Sequence, residues 1–181
     1  MSPIRYTPTA IALHGLAAVL ILGNLAFGLY MVDLPLSPAK LRYYSWHKWV
    51  GVTVFLLSAV RLLWRLRHPA PPLPDTMPHW QRRAAAASHH LLYILFFAAP
   101  LSGWLFSSAA GFPTVYLGVL QLPDLVGKNR ELADALKVLH RAVTWSLGGL
   151  ALLHAAAAVK HHLVDRDDVL ARMFPLIKPR T

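Results

Sequence analysis

HRAVTWSLGGLALLHAAAAVKHH occupies residues 140–162, and between Arg141 and Lys160 it carries no formal charge. A helix needs about 20 mostly apolar residues to cross a bilayer. This stretch has that length and places a histidine near each end. The 14 residues from His140 to His154 rise about 21 Å in a helix. Turning about 100° each, they return to within about 40° of whole turns, so both imidazoles point to one face. One helix therefore offers a nitrogen ligand near each membrane surface. His161 follows seven residues after His154, within about 20° of the same face and roughly 10 Å further along.

Working outward, three more apolar runs appear. Thr9–Met31 lies in the charge-free interval between Arg5 and Asp33, and Ala84–Ser107 lies in the interval between Arg83 and Asp124. Ser45–Leu66 is a span if Lys48, Arg61 and Arg65 snorkel to the interfaces, with Trp46, Trp49 and Trp64 near its ends. Val138–His162 is the fourth. Pro100 is expected to kink the third. The chain of 181 residues is 56% hydrophobic and 14% charged, against about 25% charged in a typical soluble domain. So short a chain cannot bury that much apolar surface in a soluble core. The expected fold is all-α: one integral-membrane four-helix bundle over residues 1–181, with lipid as its first partner. The first run is too long for a signal-peptide core and reads as a retained helix.

Charge sets the expected orientation. With the N-terminus inside, eleven Lys and Arg fall on the inner side, namely Arg5, Arg61, Arg65, Arg67, Arg82, Arg83, Lys160, Arg166, Arg172, Lys178 and Arg180. Seven fall outside: Lys40, Arg42, Lys48, Lys128, Arg130, Lys137 and Arg141. That excess favours both termini in the cytoplasm. HPAPPLPDTMPHW (68–80) is then a stiff inner connector. Residues 108–137 form a long outer loop, with a short helix after Pro123. The net charge of +10 flanks apolar runs and accompanies no recognition motif, so nucleic acid is set aside as a partner.

The ten histidines and absent cysteines narrow the chemistry. Without cysteine there is no disulfide, no thiolate metal site and no covalent c-type haem. Placed by depth, His14 and His154 share an inner level, and His47 and His140 share an outer one. Two neutral imidazoles facing each other across a bundle suit a six-coordinate, low-spin haem b. Gly15, Gly51, Gly148 and Gly149 are candidates for the flat room a haem needs. Histidines that only pack or hydrogen-bond between helices are the plain alternative. A histidine-lined metal transporter is another, but its acidic midplane cluster is missing from these spans.

Several stretches together resemble the bacterial cytochrome b561 family, the four-helix dihaem cytochromes that include superoxide oxidase. They are IALHGL, WHKWVGV, RLLWRLRHPAPPLP, SHHLLYILFFAAPLSG, HRAVTW and LHAAAAVKHH…LARMFP, in order along nearly the whole chain. The resemblance implies a multi-pass protein of the bacterial inner membrane with two haem b groups. It makes His14 with His154 the iron ligands of the cytoplasmic-side haem, and His47 with His140 those of the outer one. It also implies superoxide as outer electron donor and ubiquinone as acceptor near the inner haem. On that footing His161 is a candidate quinone residue, and His90 a candidate contact for a haem propionate or the quinone. Lys40, Arg42, Lys48, Lys128, Arg130, Lys137 and Arg141 are candidates for steering superoxide. A haem b relay serving a partner dehydrogenase or hydrogenase is the alternative within the redox class.

Overall fold

The computed structural model describes residues 5–177; Lys178 and Arg180, counted above for orientation, lie outside them. Four long helices carry the fold: α1 (Pro8–Val32), α2 (Pro38–Arg67), α3 (His79–Ala109) and α4 (Arg130–Lys160). Each is long and apolar enough to cross a membrane. Helix α4 runs into a π-helical turn (His161–Asp165), and a short α5 (Val169–Met173) follows.

The helix starts are written in the sequence. Thr7 Oγ1 accepts from the Ala10 N–H (3.2 Å) and Ser37 Oγ from the Lys40 N–H (3.2 Å). Each cap precedes a proline at the first helical position, where the missing N–H costs nothing. Asn129 Oδ1 caps α4 by accepting from the Leu132 N–H at 3.0 Å. That cap starts α4 at Arg130, eight residues before the apolar run, so the helix extends well beyond the stretch that hydropathy marks. Helix α2 likewise begins at Pro38 rather than Ser45.

Helix α3 packs most extensively on α4, α1 on α2, and α2 on α3. The buried cluster of Ala17, Ile21, Val54, Phe96, Ala99 and Leu147 fills the middle of the bundle. Outward faces keep large apolar residues exposed, among them Val19, Leu152, Leu153 and Val138, as a lipid-facing surface requires.

No separate short helix forms between Pro123 and α4 among the described residues; the helical residues that follow, from Arg130, are the first turns of α4. Before Pro123, β1 (Val115–Tyr116) and β2 (Leu120–Gln121) make an antiparallel hairpin. Leu117 and Gly118 take positive φ (52° and 76°) to turn the chain, a conformation that suits glycine and competes with helix. Helix side chains hold the segment down. Trp49 Nε1 donates to the Val115 carbonyl (2.6 Å), Trp104 Nε1 to that of Pro123 (3.1 Å), and Lys48 Nζ to that of Phe112 (3.0 Å).

The opposite end of the bundle gathers both described ends of the chain. The Tyr6 N–H donates to the Arg172 carbonyl (3.3 Å). Trp64 Nε1 donates to Thr7 Oγ1 (3.0 Å), and the Arg172 guanidinium to the Pro72 carbonyl. The bundle thus has a hairpin face and a terminal face.

Candidate functional site

Four half-buried histidines from three helices meet in two pairs. His14 of α1 faces His154 of α4 with ring centroids 6.3 Å apart. His47 of α2 faces His140 of α4, also at 6.3 Å. The first pair lies toward the terminal face and the second toward the hairpin face. An imidazole nitrogen sits about 1.1 Å from its ring centre and about 2 Å from a bound metal. Two rings holding one metal between them therefore keep their centroids about 6 Å apart. Both pairs meet that requirement.

His140 is the most closely held of the four. Its Nδ1 lies 3.1 Å from the Ala99 carbonyl oxygen and 3.0 Å from Ser102 Oγ. A carbonyl only accepts, so Nδ1 carries the proton. That leaves the Nε2 lone pair free for a metal, and the bond at Nδ1 fixes the orientation of the ring. A Cβ on Gly103 would stand 3.0 Å from His140 Cε1, and one on Gly28 would stand 3.1 Å from His47 Cε1. Both glycines thus leave the space that the rings occupy. Asn24 Nδ2 donates to the His47 carbonyl (3.3 Å), and His47 Nδ1 is buried with no hydrogen-bond partner among the described residues. A ring nitrogen unused by the protein fits a site completed by a metal.

The glycines singled out from sequence play other parts. Added Cβ atoms on Gly15, Gly51 and Gly149 meet nothing within 4 Å, and one on Gly148 meets only Leu25 at 3.6 Å. Gly28 and Gly103 were missed because a glycine on an apolar helix does not announce which neighbour approaches it.

Helix α3 turns His89, not His90, toward the site. The His89 ring stands 5.2 Å from that of His154. His90 is exposed and its Nδ1 bonds back to the Ala86 carbonyl at 2.7 Å. Adjacent helical residues diverge by about 100°, so only one of the two can face inward. Nothing in the pair SHH (88–90) says which.

His161 begins the π turn. Its Nδ1 lies 2.7 Å from Asp167 Oδ2 and 3.1 Å from Asp165 Oδ2, and Lys160 Nζ meets the same Asp165 oxygen at 2.6 Å. Arg166 takes a left-handed φ of 55°, which folds the chain back so that the Asp167 N–H reaches the His161 carbonyl at 3.1 Å.

The seven basic residues proposed from sequence as a steering set surround the hairpin end. Arg42, Lys128, Arg130, Lys137 and Arg141 are exposed. Lys40 and Lys48 are half-buried and bonded to backbone carbonyls, Lys40 Nζ to Val32 (2.9 Å) and Leu34 and Lys48 Nζ to Phe112 and Pro113.

Comparison with known proteins identifies the family. The family profile of prokaryotic cytochrome b561 matches residues 5–176. Cytochrome b561 homolog 2 of Escherichia coli K12 is 37% identical over 180 residues, covering 95% of this chain and 92% of that protein. Cytochrome b561 homolog 1 of the same organism is 34% identical over 131 residues, 71% of this chain and 73% of its own. A probable superoxide oxidase, CybB, of Yersinia pestis is 31% identical over 137 residues, 74% of this chain and 77% of its own. The chain therefore belongs to the prokaryotic cytochrome b561 family, the haem b electron-transfer proteins that cross bacterial membranes several times.

Proposed function

We infer that this chain carries electrons across the bacterial inner membrane from superoxide at the outer surface to ubiquinone near the cytoplasmic side. Both termini then face the cytoplasm, so the terminal face is inner and the hairpin face outer. The observation that carries the reading is the doubling of the histidine pair: two sites of equal spacing, about 21 Å apart along α4. One site would suffice for a store or a sensor, whereas two at different depths make a path.

His47 and His140 would hold the outer haem b, and His14 and His154 the inner one. Haem b, when bound, supplies a one-electron couple at each level. Two superoxide ions give up one electron each and leave as O2. The two electrons, with two protons from the cytoplasmic side, reduce one ubiquinone to ubiquinol. At the outer surface the protein need only admit and attract a small anion, and Arg42, Lys128, Arg130, Lys137 and Arg141 do so by raising its local concentration. At the inner surface His161 presents Nε2, its Nδ1 being held by Asp167, and serves to hydrogen-bond a quinone carbonyl and pass it a proton. The relationship to a protein named probable superoxide oxidase supports the donor.

The test begins with purified protein in detergent. Two low-spin b haems per chain and superoxide-driven reduction of ubiquinone are the expected results. A colourless protein, recovered even with haem supplied during expression, would remove the basis of the reading. Two haems that superoxide leaves oxidised, in a protein that copurifies with a stoichiometric soluble subunit, would favour a relay for a partner dehydrogenase or hydrogenase.

A further inference from the structure

Helix α2 carries two arginines, Arg61 and Arg65, inside its membrane-crossing length. Both are half-buried. Among the described residues neither forms an ion pair with a carboxylate. The Arg61 guanidinium lies over the Tyr93 ring at 5.3 Å and the Phe96 ring at 5.7 Å, and that of Arg65 lies over Tyr93 at 6.0 Å. Stacking on aromatic faces satisfies part of a guanidinium's charge and leaves its in-plane N–H donors unspent. A cation at this depth without a counter-charge is costly. An anion that arrives with a ligand resolves the cost.

The position says which ligand. Arg61 follows His47 by 14 residues, as His154 follows His140, so Arg61 stands at the depth of the His14–His154 pair. It lies within electrostatic reach of both histidines. Arg65 is one turn nearer the terminal face. The two arginines line a cavity with Trp64, Tyr93 and Ala10. Ala10 lies one turn from His14 on α1, and Tyr93 one turn from His89, whose ring touches that of His154. The cavity is thus lined, on α1 and on α3, by residues one helical turn from His14 and from His89. Haem b bears two carboxylates on one edge, and a guanidinium fork matches a carboxylate in charge and shape. We propose that Arg61 and Arg65 bind the propionate carboxylates of the haem held by His14 and His154. This rests on the ligand assignment above.

The test uses the purified holoprotein and two readouts other than turnover: the two reduction potentials, from a spectroelectrochemical titration, and the propionate bending bands in resonance Raman. Arg61→Leu removes a positive charge that favours the reduced haem. The expected result is a roughly tenfold shift toward the oxidised form at one haem, about 59 mV for one electron, with the other haem unmoved and a propionate band displaced. Arg61→Lys keeps the charge but loses the fork, so its potential stays near that of the parent while the band still moves. Should Arg61→Leu fail to retain haem, Arg61→Lys and Arg65→Leu are read the same way. Bands unmoved in all variants overturn the proposal, even if a potential falls, because charge then acts only through space. Unmoved spectra with a raised KM for ubiquinone also overturn it and give the cavity to the quinone. A wild type without haem overturns the ligand assignment and this proposal together; a wild type with two haems and unmoved bands overturns this proposal alone.

Discussion

His140 and His154 sit on one helix, each facing a partner at 6.3 Å, yet their surroundings differ. His140 has a glycine against its ring and a carbonyl and a hydroxyl at Nδ1. His154 has aromatic neighbours, His14 and His89, and the charge of Arg61 nearby. The first environment fixes an orientation. The second sets an electrostatic level. If each pair holds a haem as proposed, positive charge beside the inner one would favour its reduced state and draw electrons inward from the outer one.

The sharpest way to break the comparison is to remove a ligand from one level. His140→Ala and His154→Ala should each lower the haem-to-protein ratio from about two to about one, and the remaining potential should differ between the two proteins. Equal remaining potentials would mean that the surroundings do not tune the sites. Next in size is bulk at the glycine cradle. Gly103→Leu should displace the His140 ring and empty the outer site while the inner one stays filled, measured by haem content. Gly15→Ala, where a Cβ meets nothing within 4 Å, should leave both filled. A smaller effect is expected from Ser102→Ala, since Ala99 still fixes the tautomer of His140. Loss of one neutral hydrogen bond costs about 1 kcal/mol, seen as a slightly lower melting temperature with both haems retained. The smallest and most conditional effect concerns the hairpin face. Superoxide oxidation should slow as salt rises from 10 to 150 mM, over which the Debye length falls from about 30 to about 8 Å. A flat salt response would leave the exposed basic residues as ordinary solvated charge.

Three of the four spans were legible because a bilayer demands a fixed length of uncharged chain, and Asp33, Arg83, Asp124 and Lys160 punctuate it; Ser45–Leu66 was legible only with Lys48, Arg61 and Arg65 taken as snorkelling from its ends. The meeting of the histidines by depth was legible for a similar reason: helical rise is constant, so sequence separation on α4 translates into height. Rotation about the axis was less secure. The choice between His89 and His90 depends on which way α3 faces its neighbours, a property of the packed bundle rather than of the segment. Gly28 and Gly103 matter for what stands opposite them on another helix. The hairpin at Val115–Gln121 has only two residues per strand, too few for an alternating pattern to appear. Lys40 and Lys48 looked like free surface charge because their carbonyl partners belong to loops whose course hydropathy does not give.

Both pairs draw one member from α4, the last of the four long helices to leave the ribosome. Until that helix is inserted, the nascent chain offers only His14 at one level and His47 at the other, each without its opposite. Domains otherwise tend to fold from the N-terminal end as they are made, but here neither histidine pair can close before α4 has been made. Haem uptake by the proposed ligands would thus wait for α4, and a chain stalled before His140 would remain in the membrane as three helices with neither pair complete.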